Sequence, residues 1–92
     1  MPRVPSPAAA HIGARIKGAR ESSTMTQDQL AVRSEIDSSN VRAYEAGRAM
    51  PNLQTLVRLA EALKTPAGYF IEDLTADMFP TAVSDRRRRT TE

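Results

Sequence analysis

Ser38, Ser39 and Arg42 fall in one short stretch of the chain and present hydroxyl and guanidinium groups with no cysteine or histidine beside them. Such a set suits recognition by hydrogen bonds and not catalysis. On a helix turning about 100° per residue, with Ser38 at zero, Arg42 falls at about 40°, Ala46 at about 80° and Ser39 at about 100°. Val41 and Tyr44 fall on the other side, at roughly 300° and 240°. One side is therefore small and polar with a central arginine, and the other is apolar. Arginine can grip a guanine through two hydrogen bonds and serine can serve either base type, so the polar side suits the floor of a DNA major groove. An ordinary solvated helix face is the alternative reading of the same residues.

Two start signals position this stretch. Thr26 followed by Gln29 forms a capping box, in which the hydroxyl takes a free backbone N–H of a helix and the amide reaches back to the cap. That helix carries Leu30 and Ala31 inward and stops near Ser34. Asp37 offers a second N-cap, with Ile36 before it as a hydrophobic staple. The second helix runs from Ser38 to about Ala46 and ends on Gly47, a residue suited to a left-handed position. Met25 to Gly47 thus reads as two short helices joined by a tight turn.

Composition narrows the function classes. A chain of 92 residues fits one small domain, with no separate effector domain expected. It has no cysteine and a lone histidine, His11, so disulfides, thiolate metal sites and histidine clusters are excluded. No cofactor is expected, and no acid and base pair or activated nucleophile can be assembled, so an enzyme is not expected. No apolar run approaches the ~20 residues that span a bilayer, and Met1 to Pro7 lacks the apolar centre of a signal peptide, so a soluble, cytoplasmic and nucleoid-associated protein without membrane partners is expected. The formal net charge is +2. Between Ala8 and Phe79, however, eight Lys and Arg face nine Asp and Glu, and the basic surplus lies in Arg3 and in Arg86, Arg87, Arg88 and Arg89. Net charge therefore does not argue for DNA; only the placement of charges can.

The remaining elements read as scaffold. Residues 1–7 form a disordered arm, with Ser6 and Pro7 as cap and first residue of a helix that continues to Ser22. Ile12, Ile16 and Ala19 share its inner side, and Gly13 and Gly18 each cost about 1 kcal/mol against alanine. Asn52 caps a fourth helix whose stripe is Leu53, Leu56, Val57, Ala60 and Leu63. Thr65 caps and Pro66 opens a short fifth helix, where Tyr69 and Phe70 close the core. Ile71, Leu74 and Met78 continue the apolar spacing, as a self-association surface or as a patch folded back on the domain. Residues 75–92 form an extension and basic tail, able to add sequence-blind affinity for phosphates or merely to keep the chain soluble.

These residues resemble the Cro and lambda-repressor-like, xenobiotic-response-element-type regulators. The likeness runs from Ile12 to Leu74 through Ile12-Gly13, Arg15-Ile16, Arg20, Met25-Thr26-Gln27, Leu30-Ala31, Tyr44-Glu45-Ala46-Gly47-Arg48, Pro51-Asn52 and Leu59-Ala60-Glu61-Ala62-Leu63. It implies an all-α, five-helix domain over residues 8–74 whose second and third helices form the helix-turn-helix, followed by a flexible basic tail. It further implies base contacts from Ser38, Ser39 and Ala43, joined here by Arg42, with Ala43 limited to a thymine methyl. Phosphate contacts are implied for Gln27, Asn40, Arg48 and Asn52, and a structural ion pair for Arg20 and Glu45. Three positions depart from the family pattern: Glu35 and Lys64 stand where glycine is usual, and Gly68 where a bulkier residue is common. A non-glycine residue held left-handed at Glu35 would cost on the order of 1 kcal/mol, so a turn of slightly different path is expected.

The function these features imply is a sequence-specific transcriptional regulator, chiefly a repressor, that binds a pseudo-palindromic double-stranded operator as a homodimer through Ile71, Leu74 and Met78. The alternative is an antitoxin or protein-interaction module with secondary DNA binding, its toxin partner held by the chain after Leu74. Asp28, at the exposed start of the second helix, is where some relatives touch RNA polymerase, though an acid favoured by the helix dipole explains it equally well.

Overall fold

Ser6 and Pro7 open the first helix as expected: the Ser6 hydroxyl accepts from the backbone N–H of Ala9 at 3.1 Å, and Pro7 takes the first helical position, where no donor is needed. The computed structural model describes residues 6–79. The arm with Arg3 and the arginines 86 to 89 lie outside them. Five α-helices follow in order: α1 (Pro7–Ser22), α2 (Gln27–Ser34), α3 (Ser38–Glu45), α4 (Leu53–Ala62) and α5 (Ala67–Ile71), then a 3-10 turn at Ala76–Met78. Among the described residues the architecture is all-α.

α2 and α3 have only eight residues each, too short to persist alone in water, so packing must hold them. α1 packs on α3 and α5, α2 on α3 and α4, and α4 on α5. Ile12, Ile16, Leu30, Val41, Leu56, Leu59, Leu63 and Phe70 are buried between them. Each such side chain contributes about 1.5 to 3 kcal/mol by leaving water.

α1 to α4 end in one hydrogen-bonded device, in which two backbone N–H groups turn back to the last carbonyls. After α1 the donors are Thr24 and Met25, after α2 Glu35 and Ile36, after α3 Gly47 and Arg48, and after α4 Lys64 and Thr65. The first residue of each pair is left-handed: φ is 52° at Thr24, 60° at Glu35, 77° at Gly47 and 54° at Lys64. Glu35 thus adopts the conformation that glycine would take, so the turn keeps its path and stores strain instead. The bond from Ile36 to Ala31 and the packing of Ile36 on the core set the angle at which α3 leaves α2.

Several expectations need correction. In α4 the buried residues are Leu56, Leu59, Ala60 and Leu63, which span about 100° of the helix. Val57 lies outside that arc at 40% exposure, and Leu53, the first helical residue, is 74% exposed. Thr65 does not cap α5: its hydroxyl donates to the Leu63 carbonyl, and Pro66 takes the cap position with no side-chain bond. Phe70 closes the core, but Tyr69 lies outside it under the Arg15 guanidinium, 4.7 Å from the ring centre. Arg15 also donates to the Tyr69 carbonyl and to Glu72 and Asp73, fixing the chain after α5 to α1. Leu74 packs on the domain's own core, and the Met78 sulfur accepts from the Thr75 N–H, leaving Ile71 as the most exposed of the three apolar residues.

Candidate nucleic-acid interface

The helix-turn-helix rests on a close approach between α1 and α3. A Cβ on Gly13 would lie 2.2 Å from the Tyr44 carbonyl oxygen, so only glycine lets the helices meet here. Gly47, at the end of α3, approaches the Ala10 Cα as closely as 3.2 Å when given a Cβ, which adds a second reason for glycine at its left-handed position.

Arg20 then clamps the two helices. Its Nε donates to Glu45 Oε2 at 2.6 Å and its Nη2 to Oε1 at 3.0 Å, while Nη1 donates to the Met25 carbonyl at 2.7 Å. The Glu45 side chain is 3% exposed. The hydrogen bond to Glu45 raises the Arg20 pKa above its ordinary value, against the opposing effect of burial. Gln27 joins this cluster, its amide donating to Glu45 Oε1 at 3.0 Å. The residue implied as a phosphate contact therefore also ties the start of α2 to the end of α3. One N–H of that amide remains for another acceptor.

The capping box of α2 is complete: Thr26 Oγ1 accepts from the Gln29 N–H at 3.0 Å, and Gln29 Oε1 accepts from the Thr26 N–H at 2.8 Å. Asp37 stands at the cap position of α3 without bonding the backbone there. Its carboxylate instead accepts from the Ser39 hydroxyl at 3.0 Å, which leaves the serine oxygen as an acceptor.

On α3, Val41 is fully buried and Tyr44 packs on the core, as the wheel requires. Arg42, Ser39 and Asn40 are exposed, and Ser38 and Ala43 are half-buried. Arg42 is held at both sides: Nη1 donates to Ser38 Oγ at 3.3 Å and Nη2 to Asp28 Oδ1 at 3.0 Å. Beyond α3, Arg48 is exposed, and Asn52 uses its side-chain oxygen to cap α4 through the Thr55 N–H at 2.8 Å. The contacts Gln27 to Glu45 and Asp28 to Arg42 were not readable from sequence, because each joins residues far apart on different helices.

A short capped helix, a tight turn and a second helix with a buried inner side and a hydrogen-bonding outer side define a helix-turn-helix DNA-binding domain. The chain belongs to the lambda-repressor-like helix-turn-helix family, whose sequence pattern matches residues 16–70. It is 34% identical over 65 residues to an uncharacterized transcriptional regulator in the ATPase CF(0) region of Rhodospirillum rubrum, across 71% of this chain and 60% of that one. Its identity to multiprotein-bridging factor 1 of Candida albicans is 40% over 52 residues, 56% of this chain and 34% of that one. It thus matches 60% and 34% of the lengths of these two curated relatives. Among solved structures, the restriction-modification controller protein C.AhdI from Aeromonas hydrophila superposes with a TM-score of 0.66 and 27% identity, across 67% of this chain and 94% of that one. No described helix is long and apolar enough to cross a membrane.

Proposed function

We propose that this protein regulates transcription, chiefly as a repressor, by binding a pseudo-palindromic DNA operator as a homodimer. The observation that carries the reading is the row of half-buried Ser38 with exposed Ser39 and Arg42 on a helix whose opposite side, at Val41, is fully buried. α3 enters the major groove, with Arg42 on a guanine, the serines on neighbouring base edges and the Ala43 methyl toward a thymine. The second amide N–H of Gln27, with Asn40, Arg48 and the amide of Asn52, holds phosphates on either side. So few base contacts bind weakly in one copy, and two copies a helical turn apart, roughly 34 Å, supply the rest. Ile71, exposed at 48%, is the centre of the proposed contact between copies, which also includes Leu74 and Met78.

Selection of bound sequences from a randomised DNA pool tests this reading. The expected product is two inverted half-sites about one turn apart. No enrichment, together with binding that does not weaken as salt rises, would overturn it.

A further inference from the structure

We propose that Asp28 is a positioning residue for base readout: its carboxylate buttresses Arg42 against the start of α2, so that the arginine meets one base and not the phosphate backbone. The proposal rests on Arg42 as a base reader.

The guanidinium is pinned from two elements at once, by Ser38 one turn back on its own helix and by Asp28 on the other helix of the motif. A favourable helix dipole accounts for an acid in the first turn of α2. It does not account for a carboxylate oxygen 3.0 Å from the arginine of α3. Nor does stability, since the side chains of Arg42 and Asp28 are 49% and 72% exposed and such a pair adds little in water.

The geometry leaves the arginine able to read while it is held. A guanidinium has five N–H groups; Ser38 and Asp28 take one each, and a two-bond grip on guanine needs two of the three that remain. Docking against DNA removes water around the pair and strengthens it. Asp28 also lies beside Gln27, where α2 would meet the backbone, so its charge repels phosphate and penalises placements in which Arg42 has left it. Without Asp28, the long side chain is free to seek phosphates, which attract it whatever the sequence.

The test uses the full chain, the duplex it enriches from a randomised pool, every single-base-pair variant of that duplex, and poly(dI-dC) as sequence-blind DNA. Arg42→Ala identifies the base pair whose discrimination depends on Arg42. Asp28→Ala is expected to lower discrimination at that same pair on the order of threefold to tenfold, to spare the other pairs, and to bind poly(dI-dC) at least as tightly as the parent. Added to Arg42→Ala, it should change nothing further at that pair, and Asp28→Glu should restore part of the discrimination. If Arg42→Ala relaxes one base pair and Asp28→Ala does not, the buttress is wrong and the reading of Arg42 stands. If Arg42→Ala relaxes none, or nothing is enriched, both fall together.

Discussion

Arg20 and Glu45 meet through two hydrogen bonds, at 2.6 and 3.0 Å, that join the last turn of α1 to the last residue of α3. The Glu45 side chain is almost completely enclosed, and Gln27 bonds the same carboxylate. A buried pair need not exceed an apolar pair in stability, but removing one partner strands the other charge. Glu45→Ala is therefore expected to lower the unfolding free energy by about 3 to 5 kcal/mol. Replacing both residues together, as Arg20→Met with Glu45→Met, should cost less than the worse of the two single changes. Urea titrations of Glu45→Ala, the two single methionine variants and the double variant measure this, and a double variant less stable than the worse methionine single would refute it.

Gly13 and Gly18 should respond in opposite ways to the same substitution, although both lie inside α1. A methyl group on Gly13 runs into the Tyr44 carbonyl at 2.2 Å, whereas nothing lies within 4 Å of one on Gly18. Gly13→Ala must push α1 from α3, at an expected cost of about 1 to 3 kcal/mol or more. Gly18→Ala should stabilise the domain by roughly 0.5 to 1 kcal/mol through helix propensity and a stiffer unfolded chain. Thermal unfolding of the pair checks the signs; equal shifts would show that the α1–α3 approach is not as tight as described.

Glu35 and Lys64 occupy left-handed positions at the ends of α2 and α4, with φ of 60° and 54°. The same hydrogen-bonded device after α3 uses Gly47. Relieving the strain with Glu35→Gly or Lys64→Gly should stabilise the fold by about 1 kcal/mol each, less the entropy that glycine adds to the unfolded chain. Glu35→Val, which introduces a β-branched side chain at the same φ, should move the melting point the other way. A destabilised Glu35→Gly variant would mean that the carboxylate makes a compensating contact.

How much of this was legible in the sequence depended on how far apart the partners lie. Ser6, Thr26 with Gln29, and Asn52 act within three residues, and each cap formed as read. Asp37 misled because a nearer partner, the Ser39 hydroxyl, outcompeted the backbone. The stripe of α4 was half right: Leu56, Ala60 and Leu63 fit either of two overlapping arcs, and the neighbouring helices selected the one containing Leu59 over the one containing Val57. The Arg20 and Glu45 pair came from family resemblance, since nothing local couples residues 25 apart. The links from Gln27 to Glu45 and from Asp28 to Arg42 belong to the angle between α2 and α3, which no pattern along one helix encodes.

Ile71 is the side chain on which proposed self-association most depends, since Leu74 already packs on its own core. Ile71→Glu should leave the monomer folded, because the residue is 48% exposed, while placing like charges across a two-fold contact. Sedimentation equilibrium is expected to show self-association weakened at least tenfold in favour of monomer, a shift of about 1.4 kcal/mol. An unchanged dimer would move the contact elsewhere, with exposed Leu53 and Val57 on α4 the next candidates.

The proposed complex assigns base reading to Arg42 and phosphate gripping to Arg48, and the alanine variants of the two should separate these roles. Arg42 stands on the outer side of α3, where two-bond contact with a base is worth about 1 to 3 kcal/mol of discrimination. Arg42→Ala should therefore relax preference at one base pair of each half-site while retaining binding to degenerate DNA. Arg48 lies past the end of α3 and is exposed, and the proposed function gives it a phosphate contact. Arg48→Ala should weaken all sequences alike and reduce the slope of log affinity against log salt by about 1 per protomer. Titrations of both variants at several salt concentrations, against the selected site and its single-base variants, measure the two effects independently. If both variants lose affinity evenly over all sequences, Arg42 is a phosphate contact, and discrimination must come from Ser38, Ser39 and the shape of the DNA.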